Sequence, residues 1–171
     1  MPRMRFISSW ATQDQKILLN MSDKVIQVFQ QNIQENSDSK EGGGILLGYV
    51  RGQHLEIVEA TVPTAQDQRF RFFFERMPFR HSSIAEKRWR ESGGLIRYLG
   101  EWHTHPEDYP SPSQVDRVEW RKLAEKRKDR RPVLAVIIGR QGMHIELVSV
   151  NDAPVLMRPL SDCEADDWGL L

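Results

Sequence analysis

Residues 100–116, GEWHTHPEDYPSPSQVD, hold two histidines, three prolines, two serines and four carboxylates. His103 and His105 lie two apart at the end of an apolar run, LIRYLGEWH. A strand has a side-chain period of two, so both imidazoles fall on one face and can meet one metal ion. Pro106, Pro110 and Pro112 hold the following chain extended. Ser113 and Asp116 have the spacing of a helix capping box, which places Asp116 in the first turn of a third helix. Two imidazoles and one carboxylate leave an open fourth position, the arrangement of a catalytic zinc site. Spacing alone also allows two exposed histidines beside an ordinary cap.

Metal-assisted hydrolysis needs a carboxylate to take and return a proton. Glu101 shares the strand face of His103 by parity, and Glu107 and Asp108 lie in the loop. Glu41 heads EGGGILLG (41–48), whose glycines let other backbone come close. Residue types and spacing do not choose among these four.

The elements that must position these groups read as follows. KILLNMS is a strand, and SDKVIQVFQQNIQEN is a helix with Ser22 as its cap. GGGILLGYV (42–50) is a central strand, apolar on both faces, paired with HLEIVEATV (54–62) through RGQ. HSSIAEKRWRESGG is a second helix ending at Gly93 or Gly94. LIRYLGEWH, the helix SQVDRVEWRKLAEKR and the hairpin PVLAVIIG–MHIELVSV follow. Strands and helices interleave, which predicts an α/β or α+β sandwich with a mixed sheet. Length fits one domain. The predicted divisions are an N-terminal segment (1–15), a domain (16–150) and a C-terminal extension (151–171), partly without order.

The chain is 39% apolar and 28% charged with a formal net charge of zero, so no overall field draws it to nucleic acid or an anionic membrane. No apolar run is long enough for a signal segment or a membrane span. The single cysteine, Cys163, excludes an intrachain disulfide and a cysteine-rich zinc site, and a cytoplasmic location is the expectation. His81 and His144 lack partners at ligand spacing. The basic run 121–132 reads as a solvated helix end.

The blocks HTHPEDYPSPSQVD and EGGGILLG together resemble the signature of the JAMM (JAB/MPN+) zinc metalloproteases. Ten residues separate His105 from Asp116, as in that family's H-x-H-x(10)-D core. The resemblance implies an MPN/JAB-like sandwich, similar to that of cytidine deaminases, with a mostly antiparallel sheet flanked by helices. It implies that His103, His105 and Asp116 ligate one zinc ion with a bound water. It further implies that Glu41 is the general base, that Ser113 helps hold the oxyanion, and that Glu101, Glu107 and Asp108 are bystanders. The implied reaction is amide hydrolysis at the C-terminus of a conjugated protein. The wording YLGEWHTHPE is most similar to the prokaryotic branch, and within it to deconjugases of bacterial anti-phage operons. Those remove a conjugated CD-NTase or a ubiquitin-like protein. Rival expectations are processing of a sulfur-carrier protein or small peptide adduct, and a non-catalytic MPN scaffold. The expected partner is a protein with an extended C-terminal tail, gripped through Arg71, Phe72, Phe74 and Trp102, although RFRFFFERMPFR also reads as a plain strand and Trp102 as core.

Overall fold

The computed structural model describes residues 6–36, 38–62, 68–69, 74–75 and 78–160. Strands β1 (Ser9–Thr12) and β2 (Leu18–Met21) precede helix α1 (Asp23–Gln31). The Ser22 hydroxyl accepts the Val25 N–H at 3.4 Å, and Val25 and Phe29, one turn apart, are both buried. Strands β3 (Gly43–Arg51) and β4 (His54–Ala60) form a hairpin whose turn uses Gly52 at φ +65°. Two short strands, β5 (Gln68–Arg69) and β6 (Phe74–Glu75), pair with each other before helix α2 (Pro78–Glu91). Gly94, at φ +85°, donates its N–H to the Trp89 carbonyl and ends that helix. Strand β7 (Arg97–Thr104), helix α3 (Gln114–Lys126) and strands β8 (Val133–Ile138), β9 (Met143–Val148) and β10 (Val155–Pro159) complete the fold.

The expected sandwich is corrected by this topology. The large sheet is a closed, mixed barrel of eight strands in the order β1-β10-β9-β8-β7-β3-β4-β2. Strand β1 pairs with β10 on one side, with Trp10 opposite Pro159, and with β2 on the other. Strand β2 then runs parallel to β4, with Leu19 opposite Leu55, so no edge is left open. The closing strands β1 and β10 lie outside 16–150. They span four and five residues, and only Met157 of β10 is buried, so neither shows an alternating pattern.

Strand β8 is buried along its whole length, as its unbroken VLAVII predicts. Leu134, Val136 and Ile138 join the larger core with Trp10, Leu46 and Phe29. Ala135 and Ile137 face the other way, onto Trp120 of α3. Each large apolar side chain so buried contributes about 1.5–3 kcal/mol. Strand β7 lies beside β8 in parallel register, with Trp102 opposite Val136 and His103 opposite Ile137. His103 therefore shares the α3 face, and Trp102 points into the larger core. Trp102 is 1% exposed, its ring lies 5.2 Å from that of Phe29, and its indole donates to the Thr61 carbonyl. It cannot meet a substrate, which corrects the expected contact.

In the basic run 121–132, Arg127 is structural: its guanidinium donates to the carbonyls of Tyr98, Leu99 and Pro132. Arg71, Phe72, Cys163 and the rest of the acidic tail from residue 161 lie outside the described residues. Phe74 begins β6.

Candidate metal centre

The two histidines leave β7 where it is held from both sides. His103 stands opposite Gly43 of β3 and Ile137 of β8, and the His105 N–H donates to the Ile138 carbonyl at 3.0 Å. Their Nε2 atoms are 3.1 Å apart. Asp116 closes the triangle from α3, with Oδ1 3.2 Å from His103 Nε2 and Oδ2 3.2 Å from His105 Nε2. Ligand atoms about 2.0–2.1 Å from a tetrahedral zinc lie about 3.3 Å from one another. The Nε2–Nε2 separation falls just inside that value, and each imidazole stands at a similar distance from a different oxygen of Asp116. Two imidazoles with one carboxylate are a donor set that suits zinc. The residues fit the metal.

Asp116 is fixed by the predicted cap. Its N–H is accepted by the Ser113 hydroxyl at 3.1 Å, and its Oδ2 accepts the Ser113 N–H at 2.8 Å. The Ser113 hydroxyl proton stays available to a further acceptor, because that oxygen accepts in the box. Trp120, one turn along α3, sets its ring 6.0 Å from that of His103. Burial raises the Asp116 carboxyl, but the hydrogen bonds of His103 and His105, the charge of His103 and the Ser113 N–H outweigh it and hold the group well below its ordinary value. Burial lowers His105, yet Asp116, Glu107 and Glu41 reverse this and raise it.

Glu41 comes from the other side of the site. The pairing of Gly43 with His103 sets Glu41, two residues earlier, beside the histidine pair. Its Oε1 lies 4.0 Å from His103 Nε2, and the side chain is almost wholly buried. Close strand approach requires Gly43, since a Cβ there would sit 2.4 Å from the Trp102 carbonyl oxygen. The adjoining backbone is tied by a buried network: Gly42 N–H donates to the Thr104 hydroxyl, which donates to Gln34 Oε1, and Gln34 Nε2 donates to the Ser39 carbonyl. Thr104 N–H returns a bond to the Gly42 carbonyl at 2.9 Å. Neither Gln34 nor Thr104 was singled out in the sequence. Thr104 sits inside HTH, but its role depends on a contact with residue 34, which spacing does not encode.

Desolvation pushes the Glu41 carboxyl up to about 8, with Asp116 adding repulsion and His105 opposing. In the metal-free protein Glu41 therefore binds a proton that the unfolded chain, near 4.5, has lost. Stability from this group is complete below pH 4.5 and lost as pH rises through about 8. The loss amounts to up to about 5 kcal/mol. Glu41→Gln removes this dependence. Urea midpoints of metal-free protein should show the variant gaining on the parent between pH 5 and 9. A constant gap would contradict a buried, protonated Glu41.

The other carboxylates separate. Glu101 meets the Tyr98 hydroxyl at 3.5 Å. Asp108 pairs with Arg140 at 2.8 Å. Glu107, a bystander by resemblance, lies with Oε1 2.9 Å from His105 Nδ1. His144 pairs with the buried Glu146 at 2.7 Å, and Arg117 reaches the same carboxylate at 3.3 Å.

The chain belongs to the prokaryotic JAB family, since the family of prokaryotic homologs of the JAB domain matches residues 25–151. A CD-NTase/cGAS isopeptidase of Pseudomonas aeruginosa is 56% identical over 145 residues, which cover 85% of this chain and 92% of that protein. A CD-NTase/cGAS isopeptidase of Escherichia coli is 37% identical over 127 residues, covering 74% of this chain and 80% of that protein. Among solved structures, the solution structure of protein DSY2949 from Desulfitobacterium hafniense aligns with a TM-score of 0.57 at 21% identity. The alignment covers 81% of this chain and 88% of that one. That likeness is one of fold.

Proposed function

We propose that this protein is a zinc-dependent isopeptidase that releases a CD-NTase from its conjugates, in the setting of bacterial anti-phage defence. The observation that carries the chemistry is the triangle of His103, His105 and Asp116, with side-chain atoms 3.1–3.2 Å apart and Glu41 buried beside it. The names of the relatives support the substrate class, and their lengths are largely covered. Zinc, when bound, would acidify a water and polarise the scissile carbonyl.

The chain's own groups divide the remaining tasks. The neutral imidazoles and the Asp116 carboxylate supply the ligand atoms. Glu41 Oε1 takes a proton from the attacking water and delivers it to the departing amine nitrogen. The Ser113 Oγ–H is free to donate to the oxygen on which charge develops. Packing of Trp120 against His103 keeps bulk water from that side.

The experiment is cleavage of a CD-NTase bearing a protein fused or conjugated at its C-terminus. Chelator-treated protein should lose cleavage, and stoichiometric zinc should restore it. Stoichiometric zinc with no cleavage of any CD-NTase or ubiquitin-like fusion would favour a scaffold. Full cleavage after chelation would remove the metal from the mechanism.

A further inference from the structure

We infer that Glu107 is a positioning residue for His105, fixing which ring nitrogen faces the metal; the inference rests on the zinc reading above. His105 has two distinct nitrogens. Its Nε2 points at His103 Nε2 and Asp116 Oδ2, and its Nδ1 lies 2.9 Å from Glu107 Oε1. Both nitrogens face a carboxylate, which only accepts. A cation held between His103, His105 and Asp116 would take the Nε2 lone pair, so the hydrogen of the neutral ring belongs on Nδ1, where Glu107 accepts it. That tautomer leaves the Nε2 lone pair directed at the point shared with His103 and Asp116. Ligand histidines held by an outer carboxylate are oriented and made more basic in this way.

The contact is built by the backbone beneath it. The Glu107 side chain is about half exposed, and an isolated surface pair of this kind would be worth little. Here the turn between β8 and β9 grips the loop from below. The Arg140 N–H donates to the Glu107 carbonyl at 2.8 Å, and the Gln141 N–H donates to the Asp108 carbonyl at 2.7 Å. The Arg140 side chain adds its bond to Asp108. The loop can sit this low only because residue 139 is glycine. A Cβ there would lie 2.7 Å from the carbonyl oxygens of Glu107 and Asp108, and 2.5 Å from Pro110 Cδ. The turn therefore presets where the Glu107 side chain starts, and the carboxylate presets the ring.

The test is zinc affinity of the full chain, measured by competition with a chromophoric chelator. Glu107→Ala should bind zinc about 10–100-fold more weakly than the parent. Glu107→Gln, whose amide oxygen still accepts from Nδ1, should recover most of that loss. A general folding defect would lower the urea midpoint of the metal-free variants instead, and would not be rescued selectively in zinc affinity by Gln. An affinity within twofold of the parent for Glu107→Ala overturns the inference. Should Glu107→Ala not fold, the unmodified zinc-loaded protein decides. Nitrogen-15 spectra of His105 should show Nδ1 protonated and Nε2 bound, and Nδ1 bound to zinc would overturn it. A parent chain that binds no zinc rejects the zinc reading itself, and the inference falls with it.

Discussion

Glu41→Gln is expected to lower amide cleavage by about 10²–10⁴-fold, the range for a lost general base, while zinc stays bound at parental stoichiometry. Glutamine keeps the shape and the hydrogen-bonding oxygen but cannot take a proton. Neither histidine nor Asp116 changes, so the ligand triangle is left in place. The position suits the role: Glu41 Oε1 is 4.0 Å from His103 Nε2, further than the 3.2 Å of Asp116, and lies in a pocket nearly free of solvent. Burial raises the Glu41 carboxyl in the metal-free protein, and a bound cation would favour the ionised form that takes the proton from water. The loss should fall on kcat, with KM little changed, because proton transfer belongs to the transition state. Glu101→Gln, whose side chain meets Tyr98, should cleave within about twofold of the parent, the range of a surface change away from the chemistry. A fully active Glu41→Gln beside a dead Glu101→Gln would assign the base to the wrong strand.

That comparison separates what the sequence could show from what it could not. The histidine pair and the Ser113–Asp116 cap are local patterns, one of period two and one of a single helical turn. Both reappear with hydrogen-bond geometry. Parity also held the answer for Trp102, which lies between the two histidines' side of the strand and must face the opposite way, into the core. Choosing between Glu41 and Glu101 needed the β3–β7 register, a pairing across about sixty residues that only the family likeness hinted at. Barrel closure was less legible still. It depends on β1 meeting β10 from the two ends of the described chain, through strands too short to carry a period. Glu107 belongs with these non-local features. Its contact to His105 is two residues long in sequence, but its placement is set by a turn more than thirty residues later.

Asp116 carries the second large effect, because it serves the cap and the metal at once and the two roles can be split. Asp116→Asn keeps an oxygen to accept the Ser113 N–H, so the capping box and the start of α3 should survive. It removes the charge that both histidines meet at 3.2 Å. Zinc affinity should fall by more than about 100-fold, beyond the 10–100-fold typical of an outer partner, and cleavage should disappear at limiting metal. Ser113→Ala reverses the pattern. It removes the hydroxyl that accepts the Asp116 N–H and should cost about 1 kcal/mol of stability. Zinc should remain bound, and any loss of cleavage should appear at saturating metal, where it reports the oxyanion and not the ligand. Chelator competition and urea unfolding on the two variants test the division directly. Were Asp116→Asn to hold zinc as tightly as Ser113→Ala, Asp116 would be a helix cap near the metal and the third ligand would have to be Glu41. The base would then have to be sought elsewhere, since a carboxylate bound to the ion cannot also shuttle the proton.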